Sequence, residues 1–290
     1  MLRSAVFAVF PHRRRLRFAL RFARLPAPGR LGPLRELAPR WREAGSPPRE
    51  TPATGERIGR VGLLTGCVQS VLFGEVNRAS ARVLAAHGYE VVAPYRGCCG
   101  ALALHAGRRE EGLALARRTA AAFAAAGAEA IVTNAAGCGS HLKEAHLNIP
   151  VEDISETLIR GRQPDRAPLE LRVAFQESCH LAHAQRVRSE PRELLASIPG
   201  VTVLEPDEQE LCCGSAGIYN LLQPEAAGAL GDRKAANVLA TEPDLYVSAN
   251  PGCLLQVSAA LRRAGRPLPA AHPVELLDAS LRGVAPRRRL

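Results

Sequence analysis

The sequence predicts an α/β protein: two tandem repeats of a Rossmann-like, mostly parallel sheet flanked by helices, behind an irregular basic N-terminal arm. Two observations predict this fold class. From residue 60 onward, short apolar runs alternate with helix-like stretches, which is the order of parallel βα units. The eight cysteines also fall into two sets of matching spacing, which indicates a duplicated domain. The predicted boundaries are 1–59 for the arm, 60–165 for the first repeat and 166–290 for the second.

The arm differs in composition from the rest of the chain. Residues 1–60 hold 14 Arg and 4 Glu, so they carry the whole net charge of +10, and the remaining residues are neutral in sum. One basic amphipathic helix is predicted at 13–25, with apolar residues and arginines on different faces. Two interpretations stay open: a helix that docks on a membrane surface or partner, and a helix that packs on the body with its arginines in solvent.

Six apolar runs predict strands, because an unbroken apolar run suits a strand that is covered on both faces of a parallel sheet. These runs lie at 60–64, 90–94, 130–134, 172–176, 201–205 and 244–248. Helix-like stretches separate them at 77–87, 107–126, 192–198, 224–239 and 254–264. The alternation implies crossover connections, with helices on the faces of the sheets.

All eight cysteines belong to a pattern that occurs twice: one cysteine, then a vicinal pair followed by glycine, then a fourth cysteine. The gaps 67→98 and 179→212 are 31 and 33 residues, and the gaps 99→138 and 213→253 are 39 and 40. The first set consists of Cys67, Cys98, Cys99 and Cys138. The second set consists of Cys179, Cys212, Cys213 and Cys253.

The cysteines follow predicted strands, and the carboxyl ends of parallel strands line the ligand crevice of an open α/β sheet. We therefore expect each set to converge on one pocket, giving one pocket per repeat. Neighbouring glycines permit tight loops and a close approach to a bulky inorganic group. Four thiolates in such a place suit an iron–sulfur cluster, so all eight cysteines are predicted cluster ligands.

Three other interpretations of the cysteines exist. Structural zinc also takes four thiolates, but its sites usually contain a local C-x2-4-C element, which this chain lacks. Inert buried cysteines do not explain a duplicated pattern. A thiol–disulfide couple at Cys98–Cys99 or Cys212–Cys213 would form a strained bridge. The pattern favours iron–sulfur, with zinc and the thiol–disulfide couple as alternatives.

Seven strings carry a resemblance to a known family: LLTGCVQSVLFGEVNRASARVL, YRGCCGALALHAG, NAAGCGSHLKE, ESCHLAHAQRV, LCCGSAGIYNLLQPE, SANPGCLLQ and HPVELLD. They resemble the cysteine-rich CCG domain of heterodisulfide reductase B subunits and of iron–sulfur subunits of 2-hydroxy-acid oxidases. Within that family they are most similar to subunits of glycolate oxidases, also called glycolate dehydrogenases. The resemblance spans residues 61–278.

The resemblance implies an electron-transfer subunit that holds iron–sulfur clusters and passes electrons from glycolate oxidation to a quinone or other acceptor. It places FAD on a partner flavoprotein subunit. This placement of FAD is consistent with the sequence, which has neither a G-x-G-x-x-G nor a P-loop motif. The isolated chain is expected to be inactive on substrate. The alternatives are a lactate-utilisation or heterodisulfide-reductase-like subunit, a thiol–disulfide reductase, and a zinc-stabilised, non-catalytic scaffold.

The sequence departs from the family pattern in two ways. Family members resemble a ferredoxin-type module followed by a linker and two CCG domains, whereas here no cysteine precedes Cys67. The arm resembles that linker, so the chain looks like the C-terminal portion of the family, through a late start site, a split gene or a genuine short form, and a ferredoxin-type module on another chain is one alternative. The motif's final C-x-x-C is also incomplete, because His141 and Gln256 stand at its last position. This argues against the non-cubane double cluster of the heterodisulfide reductases, and a simpler [4Fe–4S] cluster, in one half or in both, is an equal alternative. His141 is a candidate extra ligand, although a hydrogen-bonding role is the more ordinary one for such a histidine.

The composition and the order of residues also restrict the expected cellular location and binding partners of the protein. A neutral body with 4% aromatic residues argues against nucleic-acid binding. No apolar run reaches the roughly 18 residues of a membrane-spanning helix. The order of apolar run before arginine cluster is the reverse of a secretory signal. The expected location is the cytoplasm, with the alternative of a peripheral position on the inner face of the cell membrane.

Overall fold

The computed structural model describes residues 2–22, 45–95 and 97–286. Two sheets dominate it. The strands of the first sheet are Glu50–Thr51 (β1), Gly59–Leu64 (β2), Tyr89–Val92 (β3), Ala130–Thr133 (β4) and Val151–Asp153 (β5). The strands of the second sheet are Leu171–Gln176 (β6), Val201–Leu204 (β7), Leu245–Ser248 (β8) and Ala270–Ala271 (β9).

The two sheets share one strand order. The first is β1-β3-β2-β4-β5 and the second is β7-β6-β8-β9, so β3-β2-β4-β5 repeats as β7-β6-β8-β9. Every pair is parallel except the edge strand β1, which runs antiparallel to β3. The predicted fold class is confirmed, and all six predicted strands form within two residues of the expected bounds. The strands that were missed, β1, β5 and β9, have only two or three residues and therefore no readable apolar run.

Helices cover the sheets. In the arm and the first half they are Leu2–Val9 (α1), Arg13–Phe22 (α2), Val68–Leu72 (α3), Gly74–Ala86 (α4), Ala101–His105 (α5), Arg109–Ala125 (α6), Ala136–Glu144 (α7) and Ile154–Arg160 (α8). In the second half they are a π-helix at His180–Gln185, then Ser189–Ala196 (α9), Tyr219–Leu222 (α10), Pro224–Ala240 (α11), Pro251–Arg263 (α12) and Pro273–Leu281 (α13). All five helices predicted in the body form. The predicted arm helix is present as α2, and its residues 23–25 lie outside the described residues.

One apolar core joins the two halves. The largest buried cluster contains Val61 and Leu63 of the first sheet together with Val173 and Phe175 of the second. The repeats are thus packed into a common core, which fixes the cysteine-bearing edges of the two sheets relative to each other.

Polar contacts reinforce this junction. Arg82 of α4 binds both carboxylate oxygens of Asp278 in α13, at 2.7 Å each. Nearby, His87 is fully buried and neutral: burial lowers its pKa to about 4, its Nδ1 lies 2.7 Å from the Val83 carbonyl, and Arg166 approaches its Nε2 at 3.1 Å.

The string HPVELLD is a helix start. His272 accepts the Val274 N–H at 3.2 Å, and Glu275 accepts the His272 N–H at 3.0 Å, which completes a capping box. The expectation that this segment closes the fold agrees with its position at the junction of the halves, where Asp278 meets Arg82. His272 serves there as the helix cap.

The arm packs on the body through its apolar face. Leu16 of α2 is 2% exposed, and Val6 and Phe7 of α1 are buried against Ala103 and Ile218. In this structure α2 therefore uses its apolar face inside the protein, as the packing interpretation expected. In the part of the chain that is described, no helix combines the length and apolarity needed to cross a membrane.

Candidate metal centre

The cysteines lie where the strand order predicts a ligand crevice. In the first half the chain passes from β2 to β3 on one side and then to β4 on the other side of β2, so the crossover direction reverses between β2 and β4. Cys67 follows β2 at the start of α3, and Cys138 is the third residue of α7 after β4. Cys179 and Cys253 hold the matching places after β6 and β8. The carboxyl edge at such a reversal is where open α/β sheets bind ligands.

The first set is brought together as predicted. The Sγ atoms of Cys67 and Cys98 are 3.5 Å apart, and the Gly100 N–H points at Cys98 Sγ at 3.4 Å. Cys99 contacts both Cys98 and Cys138 through its thiol. The four sulfurs therefore form a continuous series of contacts beneath the edge of the first sheet.

The second set repeats this arrangement. The Sγ atoms of Cys179 and Cys212 are 3.9 Å apart, and the Gly214 N–H approaches Cys212 Sγ at 3.4 Å. Cys213 contacts Cys212 and Cys253 through its thiol. Equivalent residues thus make equivalent contacts in both halves, as a duplicated site requires.

Each set contains a sulfur that is poised to be a thiolate. Hydrogen bonds from Cys67 and Cys99, and then the Gly100 N–H, lower the pKa of Cys98 to about 3. Bonds from Cys179 and Cys213, with the Gly214 N–H, lower the pKa of Cys212 to about 2. The donor thiols respond in the opposite direction, because their hydrogen bonds favour the protonated form: the pKa is raised for Cys67, Cys99, Cys179 and Cys213. Thiolate is the form that binds metal.

The glycine after each vicinal pair is required by space and by backbone conformation. Gly100 has φ +102°, and a Cβ there would stand 2.3 Å from the Gly112 carbonyl oxygen. Gly214 has φ +85°, and its Cβ would stand 2.6 Å from the Ala227 carbonyl oxygen. Both positions therefore need a residue without a side chain.

All eight cysteines line one cavity of about 180 Å³. The expectation of one pocket per repeat is wrong. Because the halves share a core, their cysteine-bearing edges meet, and the two crevices merge into one space. Residues of the arm also line this cavity, namely Phe10, Leu16 and Leu20. The apolar face of the arm thus helps to cover the sulfurs.

Asn250, which the sequence analysis did not single out, ties the two sets together. Its Nδ2 donates to Cys253 Sγ at 3.4 Å, and its Oδ1 accepts the Gly137 N–H, also at 3.4 Å. Gly137 precedes Cys138, so one side chain contacts the cysteine helices of both halves. The available signal was an asparagine between a strand and a helix, at the cap position that such residues favour.

Gln69 is a second cavity residue that was missed. It is 2% exposed and donates to the Asn134 side chain at 3.3 Å, and Asn134 in turn donates to Asn77 and Ser80 at 2.8 Å each. Within the described residues, Gln69 Oε1 is buried without a hydrogen-bond partner. Nothing in the sequence pattern distinguishes it from an ordinary helix residue.

Two histidines meet at the wall of the cavity. The Nε2 atoms of His105 and His180 are 3.3 Å apart, and His180 Nδ1 lies 3.6 Å from Cys179 Sγ. Burial, and then the neighbouring His180, lowers the pKa of His105 to about 4. Burial also lowers the pKa of His180. Both rings are therefore neutral at pH 7, and they join the two halves beside the second cysteine set.

His141 is occupied by a hydrogen bond. It is buried, and its Nε2 lies 3.1 Å from the Gly112 carbonyl oxygen. Its counterpart Gln256 makes the matching contact, with Nε2 2.8 Å from the Ala227 carbonyl. Because Gln256 makes the equivalent hydrogen bond in the second half, this hydrogen bond accounts for His141 without metal ligation.

The donor set fits a thiolate-bound iron–sulfur group by its chemistry. Each half offers four sulfurs and a glycine N–H directed at sulfur, and apolar side chains cover the cavity. A structural zinc site instead closes four ligands around one ion. In the ranges that the structure describes, no group of three or more His, Cys, Asp or Glu side chains is arranged to hold a metal ion.

Comparison with known proteins shows the same repeat. The family model for CCG, a cysteine-rich domain, matches residues 61–143 and 173–258. A probable glycolate oxidase iron–sulfur subunit of Bacillus subtilis is 35% identical, over 91% of this chain and 68% of its own length. The glycolate oxidase iron–sulfur subunit of Escherichia coli is 34% identical, over 77% of this chain and 58% of its own length. Lactate utilization protein A 2 of Bacillus cereus is 26% identical, over 77% of this chain and 99% of its own length.

Proposed function

This chain belongs to the family of the CCG cysteine-rich domain, and from that premise we propose that it is the iron–sulfur electron-transfer subunit of a flavin-dependent 2-hydroxy-acid dehydrogenase. Glycolate is the proposed substrate of the complex. The observation that carries this proposal is the convergence of both cysteine sets on one covered cavity. Relatives named as iron–sulfur subunits of glycolate oxidase support it.

The proposed ligands are the eight cysteines, four from each half, holding [4Fe–4S] groups. An iron–sulfur group bound there supplies reversible one-electron transfer. The chain tunes that transfer through its own atoms. The Gly100 and Gly214 N–H groups donate to sulfur and so stabilise its negative charge. Leu16 and Leu20 of the arm line the same cavity, in which Cys138, Cys179 and Cys212 are partly buried and the other five cysteines are buried.

Substrate oxidation is assigned to partner subunits. The chain has no dinucleotide or P-loop motif, so FAD belongs on a flavoprotein partner, where glycolate would be oxidised to glyoxylate. A ferredoxin-type module on another chain and a quinone or other acceptor complete the proposed electron path. The isolated chain then has no activity on the substrate.

The proposed location is cytoplasmic, with peripheral contact at the inner face of the membrane. Because the apolar face of α2 packs on the body, such contact would use exposed arginines such as Arg14 and Arg15. Each basic group close to an anionic lipid surface contributes about 1 kcal/mol.

The test is anaerobic purification followed by visible spectroscopy and iron, sulfide and zinc analysis. We expect a brown protein whose absorption bleaches with dithionite and whose iron and sulfide are equal in amount. Cys99→Ser and Cys213→Ser should each lower the iron content, since each removes a proposed ligand from one set. Ser197→Ala is the control that keeps full iron, because the Ser197 hydroxyl donates to the Leu194 carbonyl at 2.6 Å, far along the chain from the cysteines.

A colourless protein with stoichiometric zinc would refute the proposal in favour of the scaffold. Iron-free protein that still cycles disulfides, and loses this ability in Cys98→Ser, would favour the thiol–disulfide reductase.

Lactate is the second candidate substrate, favoured by the Bacillus cereus relative. The substrate is identified by mixing the flavoprotein partner and this chain under anaerobic conditions with glycolate or L-lactate. The acid that reduces the iron–sulfur absorption is the substrate of the complex.

A further inference from the structure

Lys234 is one of only two lysines in the chain and is fully buried in α11. We propose that Lys234 holds a positive charge beside the second cysteine set and thereby makes the iron–sulfur group of that half the easier of the two to reduce. This inference rests on the proposed function and adds a direction to electron transfer within the chain.

Outside the cysteines, the Lys234 ammonium group is compensated mainly by Glu208. Its Nζ donates to the Glu208 carbonyl oxygen. The carboxylate of Glu208 is engaged by Arg233 Nε at 2.7 Å and Asn237 Nδ2 at 2.8 Å. Across the described residues, no carboxylate forms an ion pair with Lys234. A buried cation without an ion pair is expensive, so its presence calls for a negative partner.

The second cysteine set supplies that partner. Burial lowers the pKa of Lys234, and the ionised forms of Cys213, then Glu208, Cys253 and Cys212, oppose this effect. Cys213 would carry that charge as a metal-bound thiolate, because the pKa of its free thiol is raised. Lys234 also holds the loop that leads into Cys212, through its bond to the carbonyl of Glu208. The ammonium therefore lies within electrostatic reach of three of the four sulfurs.

The first half has no such charge at the matching position. Helices α6 and α11 correspond, because the carbonyl groups of Gly112 and Ala227 face the two CCG glycines in the same way. Seven residues further on stand Thr119 and Lys234. Thr119 is equally buried, and its neutral hydroxyl donates to the Leu115 carbonyl at 2.9 Å. The duplicated site therefore differs at this position by one positive charge.

The charge difference has a defined consequence. Each reduction adds one electron, supplied by the reduced flavin of the partner subunit, and no bond is made or broken in this chain. The reduced group is one unit more negative, so a nearby cation stabilises it more than the oxidised group. Burial strengthens that interaction, because the effective dielectric constant is lower than in water. The group held by the second set should therefore have the higher reduction potential.

The experiment is a dithionite titration of the anaerobic holoprotein, followed by electron paramagnetic resonance, with Lys234→Met and Lys234→Gln. Both variants remove the charge, and Gln keeps a hydrogen-bond donor for the Glu208 carbonyl. In both variants we expect the equilibrium constant for reduction of the second-half group to fall at least tenfold. This corresponds to a reduction potential lower by about 59 mV for one electron. The signals are assigned by their loss in Cys99→Ser or Cys213→Ser.

The control is Lys143→Met. Lys143 lies on the same helix as Cys138 but is half-buried and paired with Glu156 at 2.6 Å, so both signals should keep their potentials. The inference is overturned if the second-half potential is unchanged in both Lys234 variants, if Gln restores it, or if both signals shift equally. If the wild-type protein contains no iron, the proposed function itself is overturned. If the wild-type protein titrates normally and the Lys234 variants do not respond, only the inference about Lys234 is overturned.

Discussion

Replacing Gly100 with alanine tests the structural reason for the glycine after each vicinal cysteine pair. The new Cβ would stand 2.3 Å from the Gly112 carbonyl oxygen and 2.9 Å from His141 Nε2. The carbonyl cannot retreat freely, because His141 Nε2 lies 3.1 Å from it within a buried contact. The backbone at Gly100 also has φ +102°, which disfavours any residue with a side chain.

The magnitude follows from these two effects. Left-handed backbone costs roughly 1–2 kcal/mol for an ordinary residue. Overpacking against a buried group costs about 1–3 kcal/mol more. Gly107→Ala is the matched control, since Gly107 has φ +81° but no atom within 4 Å of the added Cβ. It should show the backbone cost alone.

The measurement is anaerobic thermal unfolding together with iron content. At about 2 °C per kcal/mol for a chain of this size, Gly100→Ala should melt about 2–6 °C below Gly107→Ala. It should also lose iron, because the backbone shift that relieves the clash moves the residue-100 N–H away from Cys98. Equal melting points for the two variants would refute the steric argument. Gly214→Ala, with Gly265→Ala as its control at φ +71° and open space, repeats the test in the second half.

Three further outcomes are expected. His87 has a folded pKa of about 4 against 6.5 when unfolded, so acid protonates the unfolded state first, and stability should fall by up to about 3 kcal/mol between pH 6.5 and 4. Denaturant titrations across that range should show that the free energy of unfolding depends less on pH in His87→Gln than in the wild type. The same pH dependence in both proteins would contradict this assignment to His87. Arg82→Ala should cost about 1–3 kcal/mol, because it removes the bidentate partner of the mostly buried Asp278 carboxylate and leaves the longer contact of 3.5 Å with Arg282. Adding Asp278→Asn should recover part of this loss in a double-mutant cycle. Leu16→Ala should speed bleaching of the visible absorption in air, whereas Phe18→Ala, at a position 64% exposed, should not; equal rates would argue against shielding by the arm.

Much of this molecule could be predicted from local sequence features. The six main strands were predictable because a strand covered on both faces must be apolar throughout, as in Ala130–Thr133 and Leu245–Ser248. The two cysteine sets were predictable because duplication leaves matching spacing, and parallel topology brings the carboxyl ends of strands to one edge. The glycine after each pair pointed to a tight approach of the backbone, which the structure shows at Gly100 and Gly214.

Other features depend on contacts between distant segments and leave no local pattern. The merging of two expected pockets into one cavity follows from the common core of the two sheets. The link from Asn250 to Gly137 and the bond of His141 to Gly112 join residues far apart in the chain.

The sequence by itself thus determined the α/β class, the repeat and the eight sulfurs, because periodicity and spacing are local properties of a chain. Only the tertiary structure decided that the two sets face one space, that the apolar side of the arm covers it, and that Lys234 lies buried beside one set. Burial and proximity are properties of the packed molecule.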